Sequence, residues 1–192
     1  MKFEKIVFLM ITISICTVLI TTQLQTQDSI SVLVNNSGPY IGTAIPHDYG
    51  FDGSGIIISV IDTGVDFNHP DLLGLGLDGK IIGGYDFVDN DETPQDSNGH
   101  GTQVAGIIAA NGNLKGIAPN SKILAYRVSE DGESVSSDLI IKAIEKSISD
   151  NADIINISLG INQTNTKIDQ IVTKAIQNNI FVVTAAGNFG PE

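Results

Sequence analysis

Short apolar runs alternate along this chain with segments in which apolar positions recur every three or four residues. Residues 56–61 (IIISVI) form a continuous stretch dominated by β-branched side chains, the pattern of a strand buried on both faces. Residues 122–128, 153–157 and 180–185 repeat that character. In residues 167–177, Ile168, Ile171, Val172, Ala175 and Ile176 fall on one helical stripe, which predicts a helix capped by Thr166. Leu139, Ala143, Ile144 and Ile148 do the same after Asp138. In SNGHGTQVAGIIAA, glycine-rich polar residues give way to Val104, Ile107 and Ile108 at helical spacing, which places His100 in the first turn of a buried helix. Strands alternating with amphipathic helices predict an α/β fold: a mostly parallel twisted sheet, helices on both faces, and right-handed crossovers.

The two ends of the chain lie outside that alternation. Lys2 and Lys5 precede an apolar run over residues 6–20 and a polar stretch over 21–28, the layout of an export signal. Residues 1–27 are therefore read as a signal peptide or, uncleaved, a membrane anchor, although the run is shorter than the roughly 20 residues of a membrane span. Residues 28–50, punctuated by Gly38, Pro39, Gly42 and Pro46, read as an irregular arm, and residues 51–192 as the folded domain. The acidic stretch 86–96 reads as a surface loop.

Composition narrows the chemistry. A formal net charge of −12 supplies no basic patch for phosphates and excludes a nucleic-acid partner. The single cysteine, Cys16, sits inside the leader behind Ile15, where lipid attachment would need a small residue. Removal of the leader leaves no thiol for disulfides or catalysis.

Ligands of parallel sheets bind beyond the carboxyl ends of the strands, and the polar residues fall there. Asp62 follows IIISVI; Ser158, Leu159 and Gly160 follow DIINI; Gly187 and Asn188 follow FVVTAA. His100 joins them from its helix, and a carboxylate on one ring nitrogen would fix the tautomer that leaves the other free to accept a proton. The bland reading makes Asp62 and His100 a satisfied polar pair and AAGN a structural turn.

Taken in order, IDTGVD, HGTQVAG, SLG and AAGN resemble the subtilisin-like (subtilase) serine peptidases over about residues 50–192. Gln103 departs from the second histidine many relatives carry. The resemblance implies that Asp62 is the triad acid, His100 the general base and Asn188 the side-chain oxyanion donor. It also implies that Ser158, Leu159 and Gly160 form a backbone edge for a polypeptide substrate, with residues 132–136 as a second wall. The family nucleophile lies in a Gly-Thr-Ser-x-Ala run, and no GTS occurs in the 192 residues. The chain thus reads as a subtilisin-like domain incomplete at the C-terminus, secreted or cell-surface, and inactive alone, with apolar surface left open beside FVVTAA.

No cofactor is needed for that chemistry. Asp71 is the candidate ligand for a structural calcium, against a turn or cap role, because the family's partner loop reads here as the short NGNLKG. Asp89, Asp91 and Asp96 are weighed in the same way against a solvated acidic loop. Two other functions fit the residues: a non-catalytic peptide-binding pseudoenzyme, and a metal-dependent hydrolase with Asp62, Asp66, His69 and His100 as ligands. Membrane contact is expected only through the N-terminal hydrophobic segment, and no motif speaks to oligomeric state.

Overall fold

A computed structural model of the chain describes residues 38, 41–72, 74–76, 79–133, 135–160 and 165–187. The leader, most of the arm and Asn188 lie outside these. The elements are α1 (Ala44–Asp48), β1 (Ile57–Asp62), β2 (Ile81–Asp86), α2 (His100–Ala109), β3 (Lys122–Arg127), α3 (Ser137–Ser149), β4 (Ile154–Ile157), α4 (Thr166–Gln177) and β5 (Phe181–Thr184). The strands form one sheet in the order β2-β3-β1-β4-β5, every ladder parallel. Within the arm, residues 44–48 make a single helical turn where irregular chain was expected, tied down by His47 Nε2 donating to the Ile117 carbonyl at 2.8 Å.

β2 was not legible as a strand because Gly83 and Gly84 interrupt its apolar run. The glycines serve a close approach: a Cβ on Gly84 would stand 1.8 Å from the Ala125 carbonyl oxygen of β3. The β2–β3 register also slips between Ile81 and Gly83.

Alternate residues of the strands enter two separate cores. Ile58, Val60, Ile123 and Ala125 pack with Ala105 and Ala109 of α2. Ile61, Leu124, Tyr126, Ile155 and Ile157 pack with Ile140, Ala143 and Ile144 of α3 and Ile171 and Ala175 of α4. Each such isoleucine or leucine contributes about 1.5–3 kcal/mol by leaving water, and together the two cores sandwich the sheet.

This partition corrects one expectation. The connections β2–α2–β3, β3–α3–β4 and β4–α4–β5 all step across the sheet in the same direction. Yet α2 lies on one face while α3 and α4 lie on the other, so the first has the opposite hand to the other two. Uniform right-handedness is therefore impossible, and the strong statistical preference assigns the left-handed exception to β2–α2–β3. The consequence is functional. Asp62 shares the strand parity of Ile58 and Val60, so the exceptional crossover brings α2 to the face that Asp62 occupies.

The helix starts are fixed locally. Ser136 caps α3 by accepting from the Asp138 amide at 3.3 Å. Asn165, one residue before the expected Thr166, caps α4 by accepting from the Lys167 amide at 3.0 Å. β5 is an edge rather than a doubly buried strand: Phe181 is 75% and Val183 53% exposed. Ile176, expected on the buried stripe of α4, is 59% exposed. It borders a groove of about 490 Å³ with Ile180, Phe181 and Val182.

Candidate active site

The last residue of β1 and the first residue of α2 meet at the carboxyl end of the sheet. Asp62 is fully buried, and its Oδ1 lies 2.7 Å from His100 Nδ1. The same oxygen accepts the Thr63 amide at 2.7 Å, while Oδ2 is buried with no hydrogen-bond partner among the described residues. The imidazole is 44% exposed, so one nitrogen is anchored inside while the ring stands at the surface. With Nδ1 bonded to a carboxylate, the Nδ1–H tautomer is favoured and Nε2 keeps its lone pair.

The backbones around this contact are in close touch. A Cβ on Gly101 would lie 2.1 Å from the Gly64 carbonyl oxygen and 3.1 Å from Asp62 Oδ1, which is why a glycine follows the histidine. Gly99, the residue before α2, has φ +104° and provides no side-chain cap. Capping comes from Asp96, whose Oδ2 accepts the Thr102 amide at 2.9 Å and the Thr102 hydroxyl at 2.5 Å. Its Oδ1 accepts the amides of Asn98 and Gly99, each at 2.9 Å, and the Thr63 hydroxyl at 3.0 Å.

The remaining candidates are placed as follows. Pairing of β4 ends on both sides at Ile157, so Ser158, Leu159 and Gly160 run on past the sheet. Leu159 is buried and Ser158 Oγ accepts from Asn156 Nδ2 at 2.9 Å. Loop 129–133 is tied to the segment before His100 by Asn98 Nδ2, which donates to the Asp131 carbonyl at 2.9 Å. Asp71 is buried; its Oδ1 accepts the Asn113 amide at 2.6 Å, and Oδ2 has no partner among the described residues.

The carboxylates weighed as metal ligands are engaged separately. Asp66 Oδ1 accepts from Asn68 N and Gln95 Nε2, each at 3.0 Å, and His69 Nδ1 accepts from Asp71 N at 3.2 Å. Asp89 pairs with Arg127, and Asp91 accepts from Thr93 N at 2.7 Å. Among the described residues no three His, Cys, Asp or Glu side chains converge to hold a metal ion.

A subtilase family model matches residues 53–192. The chain belongs to the subtilase family. Among curated relatives, this subtilase chain is 40% identical over 179 residues to the minor extracellular protease Vpr of Bacillus subtilis (strain 168), covering 86% of the chain and 22% of Vpr. It is 47% identical over 152 residues to the thermophilic serine proteinase of Bacillus sp. (strain AK1), covering 74% of the chain and 36% of the relative. With thermitase of Thermoactinomyces vulgaris the identity is 44% over 143 residues, 72% of the chain and 50% of thermitase. The chain thus spans half or less of the length of these three relatives.

Around the Asp62–His100 contact, sequence reading missed the structural parts played by Thr63 and Asp96. The available signal was an aspartate three residues before the glycine that opens the α2 helix, a capping pattern diluted by the acidic residues around it.

Proposed function

We propose that this chain is the part of a secreted serine endopeptidase that carries the acid, the base and the substrate edge, and that it has no turnover without a serine nucleophile. The observation that carries the reading is the 2.7 Å contact of His100 Nδ1 with buried Asp62, formed by the two motifs that resemble the family's acid and base. In the reaction, a serine hydroxyl attacks the peptide carbonyl and His100 takes its proton at Nε2. Asp62 holds the ring in that tautomer and stabilises the imidazolium that forms. His100 then returns the proton to the leaving amine, and water releases the acyl group by the same path. In this reading Asn188 donates to the oxyanion, and the backbone of Ser158, Leu159 and Gly160 pairs with an extended polypeptide.

The location of the whole protein is read as extracellular. Residues 1–27 support this as an export signal, and one relative is named an extracellular protease. Retention of that segment as an anchor is the variant reading. Among the described residues no helix is long and apolar enough to cross a membrane.

The chemistry is read as cofactor-free. Calcium gathers six to eight oxygens, whereas the loop beside Asp71 turns the Asn113 N–H to the carboxylate, and a Cβ on Gly112 would lie 2.1 Å from Asp71 Oδ1. Those residues fit a clasp that closes loop 111–115 rather than a calcium cage. A calcium-dependent rise in melting temperature that Asp71→Asn abolishes would reinstate the ion.

The test is hydrolysis of a fluorogenic peptide. The 192-residue chain alone is expected to give none. Joined in frame to a downstream segment bearing Gly-Thr-Ser-x-Ala, it is expected to hydrolyse the peptide and to be silenced by a serine-directed phosphonate and by His100→Ala. Activity that resists the phosphonate and disappears with a chelator would overturn the reading in favour of a metal hydrolase. The rival reading is a peptide-binding pseudoenzyme, and tight peptide binding by a serine-complete protein that never turns over would establish it.

A further inference from the structure

We propose, resting on the acid and base roles given to Asp62 and His100, that Asp96 is the positioning residue that sets His100 against Asp62, acting through two hydroxyl relays. A threonine hydroxyl has one proton, so the partner that takes the proton decides what its lone pairs can do. Thr63 gives its proton to Asp96 Oδ1 at 3.0 Å and thereby accepts the amide of Gly101, the residue after His100, at 2.9 Å. Thr102 gives its proton to Asp96 Oδ2 at 2.5 Å and accepts the amide of Asp66 at 2.9 Å. One relay runs from the β1 exit to the first turn of α2, the other back from α2 to the same exit loop. Both are polarised by one carboxylate.

The direct bonds complete the frame. Asp96 also accepts the amides of Asn98, Gly99 and Thr102, fixing the turn that leads into His100 and the turn that follows it. Only an acceptor at both oxygens can receive all five donors. An asparagine has the same shape but presents an NH2 group to one set of them. The relays span a contact with no slack, since the Gly64 carbonyl and the Gly101 backbone already touch. A shift of α2 along this seam therefore moves the ring relative to Asp62 directly. An aspartate serving only as a helix cap would not have this effect, because its loss would lower stability without changing what His100 Nδ1 bonds to.

The test uses the full 192-residue chain with 15N-labelled histidine, whose only other labelled side chains are His47 and His69. Long-range 1H–15N spectra, recorded where the ring is neutral, report its tautomer. The wild-type chain is expected to show His100 as a single Nδ1–H tautomer. Asp96→Asn and Thr63→Val are expected to convert it to a tautomer mixture while His47 and His69 keep their signals, and Thr63→Ser to restore it. In the serine-complete protein Asp96→Asn is expected to lower kcat by about 100-fold with KM kept, the scale of an ångström-sized misplacement. If Asp96→Asn fails to fold, Thr63→Val decides, since it removes one relay with the shape retained. Retention of the wild-type tautomer in folded Asp96→Asn or Thr63→Val overturns the proposal. A wild-type ring that is not Nδ1–H, and that does not respond to Asp62→Asn, overturns instead the acid–base reading beneath it.

Discussion

Asp62 and Arg127 share a rung of the β1–β3 ladder, yet each takes its side-chain partner from another element. Asp62 binds His100 of α2, whereas Arg127 Nη1 lies 2.7 Å from Asp86 of β2 and 2.7 Å from Asp89 in the turn beyond. The guanidinium is thereby committed to the β2 side of the sheet, and the carboxylate beside it is left to the imidazole. Burial works against the charge on Arg127, but the hydrogen bonds and negative charges of Asp86 and Asp89 outweigh it and raise the pKa above its ordinary value.

Arg127→Met is therefore expected to destabilise the chain by about 3–5 kcal/mol, because Asp86, itself only 2% exposed, would be left buried without its partner. Asp89→Asn, whose carboxylate is 66% exposed, is expected to cost far less. Urea unfolding of both variants decides this. Equal and small losses would show that the pair is not desolvated as the structure has it.

Asn165→Ala is expected to cost about 1 kcal/mol, and Thr166→Ala only a few tenths, since the Lys167 amide is accepted by Asn165 and not by Thr166. Thermal melts of the two variants, compared with Ser136→Ala as the matching cap of α3, provide the measurement. The reverse order would return the helix start to the place that periodicity alone suggested.

Tyr126 links stability to alkaline pH. Burial, and then the bond its hydroxyl gives to Asp150 Oδ2 at 2.7 Å, push the phenol above its ordinary value of 10.0. The sign follows from the unfolded chain, which releases this proton first as pH rises. The contribution is fully present below about pH 10 and declines above it by roughly 1.4 kcal/mol per pH unit until the folded phenol also ionises. The difference in unfolding free energy between the wild-type chain and Tyr126→Phe should follow that slope. A difference that stays constant above pH 10 would contradict it.

Asp62→Asn keeps the shape of the site but offers an amide where His100 Nδ1 needs an acceptor. In the serine-complete protein this is expected to lower kcat by on the order of 10⁴-fold with little change in KM, the behaviour of a triad held in the wrong tautomer. Steady-state kinetics with a peptide substrate measure both. A loss of less than tenfold would mean that the buried carboxylate does not orient the base.

Much of the fold was legible because burial leaves a period. The doubly buried β1 and β3 and the striped α3 and α4 each carry their packing in local sequence, and each is found within about two residues of its expected limits. β2 was not legible, since its defining feature is the approach of Gly84 to the Ala125 carbonyl of another strand, which no local pattern records. For the same reason Asp96 read as one more acidic loop residue. Its five donors come from Thr63, Asn98, Gly99 and Thr102, and the longest of these reaches is visible only after the chain has folded back.

By itself, the order of residues determined the layers of the domain and which polar residues stand at its strand ends, because periodicity sets which faces are buried and motif spacing sets which residues follow each strand. Tertiary structure alone decided on which face α2 lies. Three crossovers step the same way across the sheet, and the one carrying His100 passes over the opposite face from the others. The hand of a connection is a property of the whole sheet, so no local segment encodes it. It is that hand which brings an imidazole on one helix to within 2.7 Å of a carboxylate 38 residues earlier in the chain.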